Sequence, residues 1–294
     1  MRSKKWIKEN TRSLAGKTVA VTGTTGGIGR ELCRYLASLG ASLILVDRNA
    51  ERSEALRQEL LREYLGLSAC CVNADLEDMD SVKRACAVLK EKGVDIFIHN
   101  AGAYSIPRHK CSTGYDNVFQ INFVSPYYII RELLDSLRKR NGRAVVVGSI
   151  AHNYSRSDAE DVDFSTRTCA SRVYGNAKRY LMFSLFELFK EEKGARLAVT
   201  HPGITFTNIT AHYPKLIFAI IKHPMKVIFM KPGRACLSVL RGVFEDTGYH
   251  EWIGPRLFDV WGLPKSKGLR TCSEEESRQI AMRAEEIYRY IKNM

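Results

Sequence analysis

From residue 17 onward, short β-branched runs alternate with amphipathic stretches of helix length. "KTVAVTG", "SLILVD", "SACCVNAD", "VDIFIHNAG", "RAVVVGS" and "RLAVTHPG" predict six strands. Between them, "GGIGRELCRYLASLG", "NAERSEALRQELLREYLG", "DSVKRACAVLKEK", "DNVFQINFVSPYYIIRELLDSLRKR" and the stretch from about 171 to 193 predict helices. Strands joined through helices form a parallel sheet covered on both faces, so the pattern implies an α/β fold with a doubly wound sheet. No linker or shift of composition interrupts the alternation, and residues 1–294 read as a single domain behind a basic N-terminal extension, 1–15. Pro and Gly become denser after residue 201. There "HPGITFTNITAHYPKLIFAIIKHPMKVIFMKPG" predicts an apolar lid near 204–232, ahead of a helix at "RACLSVLRGVF" and a last helix over 272–294.

Composition narrows this picture little, but charge does more. The net charge of +13 favours anionic partners such as dinucleotides, nucleic acid or acidic lipid. The basic residues are spread out, without an arginine-rich tail or aromatic-interleaved RNA motif, which argues against nucleic acid. Eight cysteines show neither a CxxC pair nor metal-ligand spacing, and read as reduced, unpaired thiols. The N-terminus lacks a secretory apolar core and no stretch is long enough to span a bilayer, so the expected location is cytoplasmic, with surface attachment left open.

"VAVTGTTGGIGREL" sets Gly23, Gly27 and Gly29 between a strand and a helix. Such a turn admits a pyrophosphate to the backbone, and the helix N-terminus offers it free N–H groups. Strand two ends in Asp47, at the offset where an acid meets adenosine ribose hydroxyls. A carboxylate there repels a 2′-phosphate and favours NAD; the adjacent Arg48 partly offsets that repulsion and keeps NADP open. Asp75, in "NADLEDMD", either caps the adenine amino group or is an exposed turn acid. Further on, Tyr174 and Lys178 stand one helical turn apart, where an ammonium can stabilise a phenolate whose unperturbed pKa is about 10.

"TGTTGGIG" at 22–29, "HNAG" at 99–102, Asn122 in "QINF", Ser149 in "VVVGSI", "YGNAK" at 174–178 and "HPG" at 201–203 occur in that order. Together they resemble the short-chain dehydrogenase/reductase family over about residues 15–250. The resemblance implies a Rossmann-type sheet and a tetrad of Asn122, Ser149, Tyr174 and Lys178. Tyr174 would exchange a proton with the substrate oxygen while hydride passes to or from nicotinamide. Ser149 would hydrogen-bond that oxygen, Lys178 would lower the Tyr174 pKa and bind the nicotinamide ribose, and Asn122 would hold a water of the proton relay. Cofactor contacts are expected from Gly23, Thr25, Gly27, Ile28, Gly29, Asp47, Arg48, Asp75, Leu76, Asn100, Ala101, Gly102, Tyr174, Lys178, Pro202, Gly203, Ile204 and Thr207. His99 stands where the family has asparagine, and both it and His201 read as packed polar residues.

The 24 residues between Ser149 and Tyr174, together with "EWIGP" and the C-terminal helix, resemble the retinol dehydrogenase-like branch, which handles lipophilic alcohols and carbonyls such as retinoids and steroids. That branch usually prefers NADP with a neutral residue at the position of Asp47, so this acid is a departure. Lys215, Lys222, Lys226 and Lys231 separate the apolar runs of the lid, which therefore suits an apolar substrate pocket or an anionic bilayer surface. Trp6, beside Lys4 and Lys5, is either a second anchor or a packed residue. "AKRYLMFSLFELFKEE" is apolar around more of its circumference than one core face needs, which suggests a subunit interface unless the insertion and the lid cover it; the resemblance implies a homo-dimer or homo-tetramer through that helix and the one after residue 115. A non-catalytic NAD-binding regulator or scaffold is the competing reading, but it needs only the glycine loop and leaves Ser149, Tyr174 and Lys178 without a purpose.

Overall fold

All six β-branched runs form strands: β1 (Thr18–Thr22), β2 (Ser42–Asp47), β3 (Ala69–Asn73), β4 (Ile96–His99), β5 (Arg143–Val147) and β6 (Arg196–Thr200). The computed structural model describes residues 2–204 and 230–294. With β7 (Glu251–Leu257) and β8 (Trp261–Gly268) these six strands form one eight-stranded sheet in the order β3-β2-β1-β4-β5-β6-β7-β8. β1 to β7 are parallel and β8 is antiparallel to β7. Val19, Val21, Leu43 and Leu45 face one layer of helices while Ala20, Ile44 and Val46 face the other, which is why these strands are apolar throughout.

The first layer holds α2 (Gly27–Ser38), α3 (Ala50–Glu63) and α8 (Pro232–Phe244). α1 (Arg2–Asn10) occupies the N-terminal extension, and Trp6 is buried in this same layer, so it is a core residue and not a surface anchor. The second layer holds α4 (Met79–Lys92), a composite helix, and α7 (Ala170–Phe189). The composite runs as α5 (Asn117–Phe119), a π-helical turn over Gln120–Val124, and α6 (Ser125–Lys139). Pro126 lacks the N–H that an α-helix would aim at the Asn122 carbonyl, and this widens the turn there.

β7 and β8 were not expected as strands. Gly254, Pro255 and Pro264 weaken a strand pattern, and a proline strand survives here because β8 is the sheet edge. The surplus apolar face of α7 meets a helix of the same chain: α9 (Glu274–Asn293) packs on it and on α6. Tyr288 meets Tyr128 at 5.6 Å, Glu285 pairs with Arg131 at 3.0 Å, and Ser277 Oγ donates to the Phe183 carbonyl at 3.4 Å. That face therefore no longer argues for a subunit interface.

The chain reverses its direction of sheet building between β3 and β4, which flank β2 and β1 from opposite sides. A crevice opens at the carboxyl ends of β1 and β4, the place where doubly wound sheets bind ligands.

Candidate active site

β1 runs straight into the glycine loop. Gly23 has φ +70°, and a Cβ on it would stand 2.8 Å from Ala101 Cα; a Cβ on Gly29 would stand 2.2 Å from the Gly23 carbonyl oxygen. Only glycine fits either position. α2 starts from Gly26, which gives no side-chain cap, so no side chain at that position competes for the first N–H groups of the helix. Asn100 braces the loop by donating from Nδ2 to the Thr22 and Gly23 carbonyls at 3.1 and 3.0 Å. Thr22 Oγ1 accepts from the Asn100 and Ala101 amides at 3.1 and 3.0 Å, which leaves its proton for His99 Nδ1 at 3.1 Å. Burial holds the His99 pKa well below the usual histidine range, as it should for a packed polar residue.

A cavity of about 320 Å³ extends from this loop. Gly23, Thr25, Gly27, Ile28, Gly29, Asp47, Arg48, Asp75, Leu76, Asn100, Ala101 and Gly102 all line it. The uncapped helix end, the crowded glycines and a cavity lined by both polar and apolar side chains fit a dinucleotide. At the end of β2, Asp47 is turned toward the loop. Its carboxylate accepts from the Thr24 hydroxyl and from the Thr25 amide and hydroxyl at 3.3 and 3.2 Å. Burial raises its pKa against those hydrogen bonds. Arg52, one turn into α3, joins Arg48 on the same wall. Asp75 Oδ1 accepts from the Glu77 amide at 3.0 Å, closing its own turn at the cavity rim.

Beyond Gly102 lie the four residues of the expected tetrad; none of them, Tyr174 and Lys178 included, lines the cavity itself. A Cβ on Gly102 would lie 2.9 Å from Asn122 Oδ1 and 3.7 Å from Lys178 Nζ, so the "NAG" turn touches both. Asn122 is fully buried, with Nδ2 donating to the Ala103 and Val118 carbonyls at 2.8 Å each. Ser149, two residues past β5, caps a 3₁₀ turn, Ile150–Tyr154, with Oγ accepting from the Ala151 amide at 3.2 Å. Lys178 Nζ donates to the Val147 carbonyl at 2.9 Å and lies 5.6 Å from the Tyr174 ring centre. Burial lowers the Lys178 pKa to about 7. Burial also lifts Tyr174 to about 12, opposed by its hydrogen bond with Ser149. In this arrangement the downward pull on the phenol comes from Ser149, while the lysine is directed at a backbone carbonyl.

The sequence model of the short chain dehydrogenase family matches residues 17–159, the stretch that carries the glycine loop, the Asn100 brace and Ser149. The chain belongs to the short-chain dehydrogenase/reductase family. It falls in the retinol dehydrogenase-like branch: it is 29% identical to human retinol dehydrogenase 13 over 68% of this chain and 62% of that one. It is 30% identical to retinol dehydrogenase 14 of Mus musculus over 67% of this chain and 64% of that one. The match to such relatives thus spans less than two thirds of their length. A crystal structure of an uncharacterised Mycobacterium paratuberculosis protein superposes with a TM-score of 0.77 at 22% identity, covering 96% of both chains, and shows the same fold.

In this short-chain dehydrogenase, Tyr174 and Lys178 lie beyond the matched stretch, and α7 brings them to it. Pro202, Gly203 and Ile204 follow β6; Gly203 takes φ +81°, and a Cβ there would stand 2.7 Å from the Val260 carbonyl oxygen. They do not line the cavity. Thr207 and the lid, apart from its two ends, fall outside the described residues. His201 is buried and stacks on Trp252 at 4.7 Å, with its pKa lowered to about 4. Sequence reading overlooked Tyr104, whose ring meets Tyr174 edge-on at 5.4 Å, and the small apolar cluster of Val118, Phe164 and Val173 against Ile106 and Tyr174. An aromatic residue two places past "NAG" was the available signal for Tyr104.

Proposed function

We propose that this short-chain dehydrogenase interconverts an apolar alcohol and its carbonyl compound with a nicotinamide dinucleotide. The observation that carries the reading is the convergence of Ser149, Tyr174, Lys178 and Asn122 where the glycine-lined cleft ends at Gly102. The bound dinucleotide supplies or accepts hydride. Tyr174 gives its proton to the nascent alkoxide, or takes it from the alcohol, and Ser149 holds that oxygen. Lys178, buried and near neutral pKa, exchanges protons with solvent through the Asn122 turn and orients the nicotinamide ribose. Ile106 gives the cavity an apolar side chain, backed by the buried cluster of Val118, Phe164 and Val173 beside Tyr174, which supports a lipophilic, retinoid- or steroid-like substrate.

NAD is the proposed cofactor, because Asp47 places a carboxylate at the adenosine end, with Arg48 and Arg52 reducing the margin over NADP. Among the described residues no helix is long and apolar enough to cross a membrane. A cytoplasmic location with peripheral membrane contact through 204–232 is part of the proposal; liposome co-sedimentation that vanishes with salt supports the contact. The test of function is fluorescence titration with NADH and NADPH, then turnover of apolar alcohols and aldehydes. Binding of neither nucleotide overturns the reading at the glycine loop, and binding with no turnover in a broad screen is what a non-catalytic regulator predicts.

A further inference from the structure

Arg179 follows Lys178 and is 1% exposed, a permanent charge on the inward side of α7. Its fork donates to Glu276 Oε1 and Oε2 at 2.7 and 2.6 Å, to the Thr271 carbonyl at 2.6 Å, and to the His152 carbonyl at 3.3 Å. Glu276 Oε1 also accepts from the Ser157 amide and hydroxyl at 3.2 and 3.0 Å. One ion pair thus ties the catalytic helix, the turn after Ser149, the insertion and the start of α9.

His152 completes the connection. Its Nδ1 lies 2.6 Å from the Ser149 carbonyl and its Nε2 lies 2.9 Å from the Thr271 hydroxyl. A carbonyl only accepts, so the ring proton sits on Nδ1 and Nε2 accepts from Thr271. Burial lowers the His152 pKa to about 4, so this neutral form persists through the neutral range. Trp252 closes the ring off from one side, edge-on at 5.4 Å.

We propose that Arg179, Glu276, His152 and Thr271 are positioning residues through which the C-terminal segment fixes Ser149 against Tyr174. None of the four lines the cofactor cavity. The inference rests on Ser149 and Tyr174 acting on the substrate oxygen, as proposed above. Removing one partner of a buried ion pair strands a charge, whereas replacing both by apolar residues is often tolerated. The informative variants are therefore Arg179→Met/Glu276→Met together, and Thr271→Val beside Thr271→Ser.

The experiment measures decanal reduction with NADH and NADPH, cofactor affinity by fluorescence, and hydrogen exchange of the 150–154 amides in the full chain. Thr271→Val and the double variant are expected to lose about tenfold or more in kcat, with cofactor affinity and KM near wild type, and to exchange faster at 150–154. Thr271→Ser, which keeps the hydroxyl, is expected to restore both. Wild-type kcat and exchange in Thr271→Val and the double variant overturn the network alone, as does a loss that serine does not rescue. A wild-type protein that binds cofactor yet turns over no carbonyl probe fails the functional reading and takes the network's role with it.

Discussion

Replacing Gly175 by alanine puts one methyl group where α7 crosses the turn that carries Ser149. A Cβ at that position would lie 2.2 Å from the Ala151 carbonyl oxygen and 3.0 Å from its carbon. Carbon and oxygen approach to about 3.3 Å without penalty, so helix and turn must part by about 1 Å. In an open helix the same change gains about 1 kcal/mol. Here overpacking against backbone costs about 1–3 kcal/mol, and the net loss of stability is about 0–2 kcal/mol. Catalysis suffers more, because Ser149 caps this turn and Tyr174 is the residue before Gly175. A misplacement of about 1 Å between reacting groups costs about 100-fold in rate. The expected Gly175→Ala protein therefore unfolds cooperatively, binds NADH as wild type does, since the glycine loop is untouched, and reduces decanal about 100-fold more slowly. Thermal unfolding, cofactor fluorescence and steady-state turnover on one preparation decide the matter. A kcat within about twofold of wild type refutes the claim that this contact sets the Ser149–Tyr174 geometry.

Three further outcomes follow from the site. Tyr174→Phe is expected to retain cofactor affinity and lose about 100- to 10,000-fold in turnover; a variant as fast as wild type sinks the acid–base assignment. Asp47→Ala removes the acceptor of the Thr24 and Thr25 hydrogen bonds, so thermal unfolding should show a loss of about 1–3 kcal/mol. Parallel titrations should show its preference moving toward NADPH, and an unchanged ratio of NADH to NADPH affinity removes Asp47 as the selector. Lys178→Met is expected to abolish turnover yet raise the melting temperature near neutral pH. Burial lowers this lysine from 10.5 to about 7, so the folded state binds fewer protons than the unfolded chain in between. The cost of the charge is full below the folded value and fades as pH rises toward the unfolded one, so the gain from methionine should shrink between about pH 7 and 10; a gap that widens with pH contradicts the burial argument.

What was legible in the sequence follows from what local pattern encodes. β1 to β6 were readable because strands buried on both faces must be apolar throughout, and the glycine loop because a close backbone approach admits no Cβ. β7 and β8 were not, since their prolines and glycines suppress the strand pattern while edge pairing tolerates them. For α7, sequence revealed how much apolar surface needed covering but not what covers it, and a subunit was expected where α9 of the same chain lies. The same limit hid the polar partners. Arg179 reaches Thr271 across 92 positions and His152 reaches it across 119, separations no helical or strand period records. Both gaps have one cause and one consequence. The C-terminal helix occupies in cis the faces of α6 and α7, and the segment just before it holds the turn behind Ser149. In this chain, then, an apolar face for which a partner subunit was expected is covered from within, and the proposed positioning of Ser149 against Tyr174 runs through contacts with Thr271 and Glu276, residues remote in sequence.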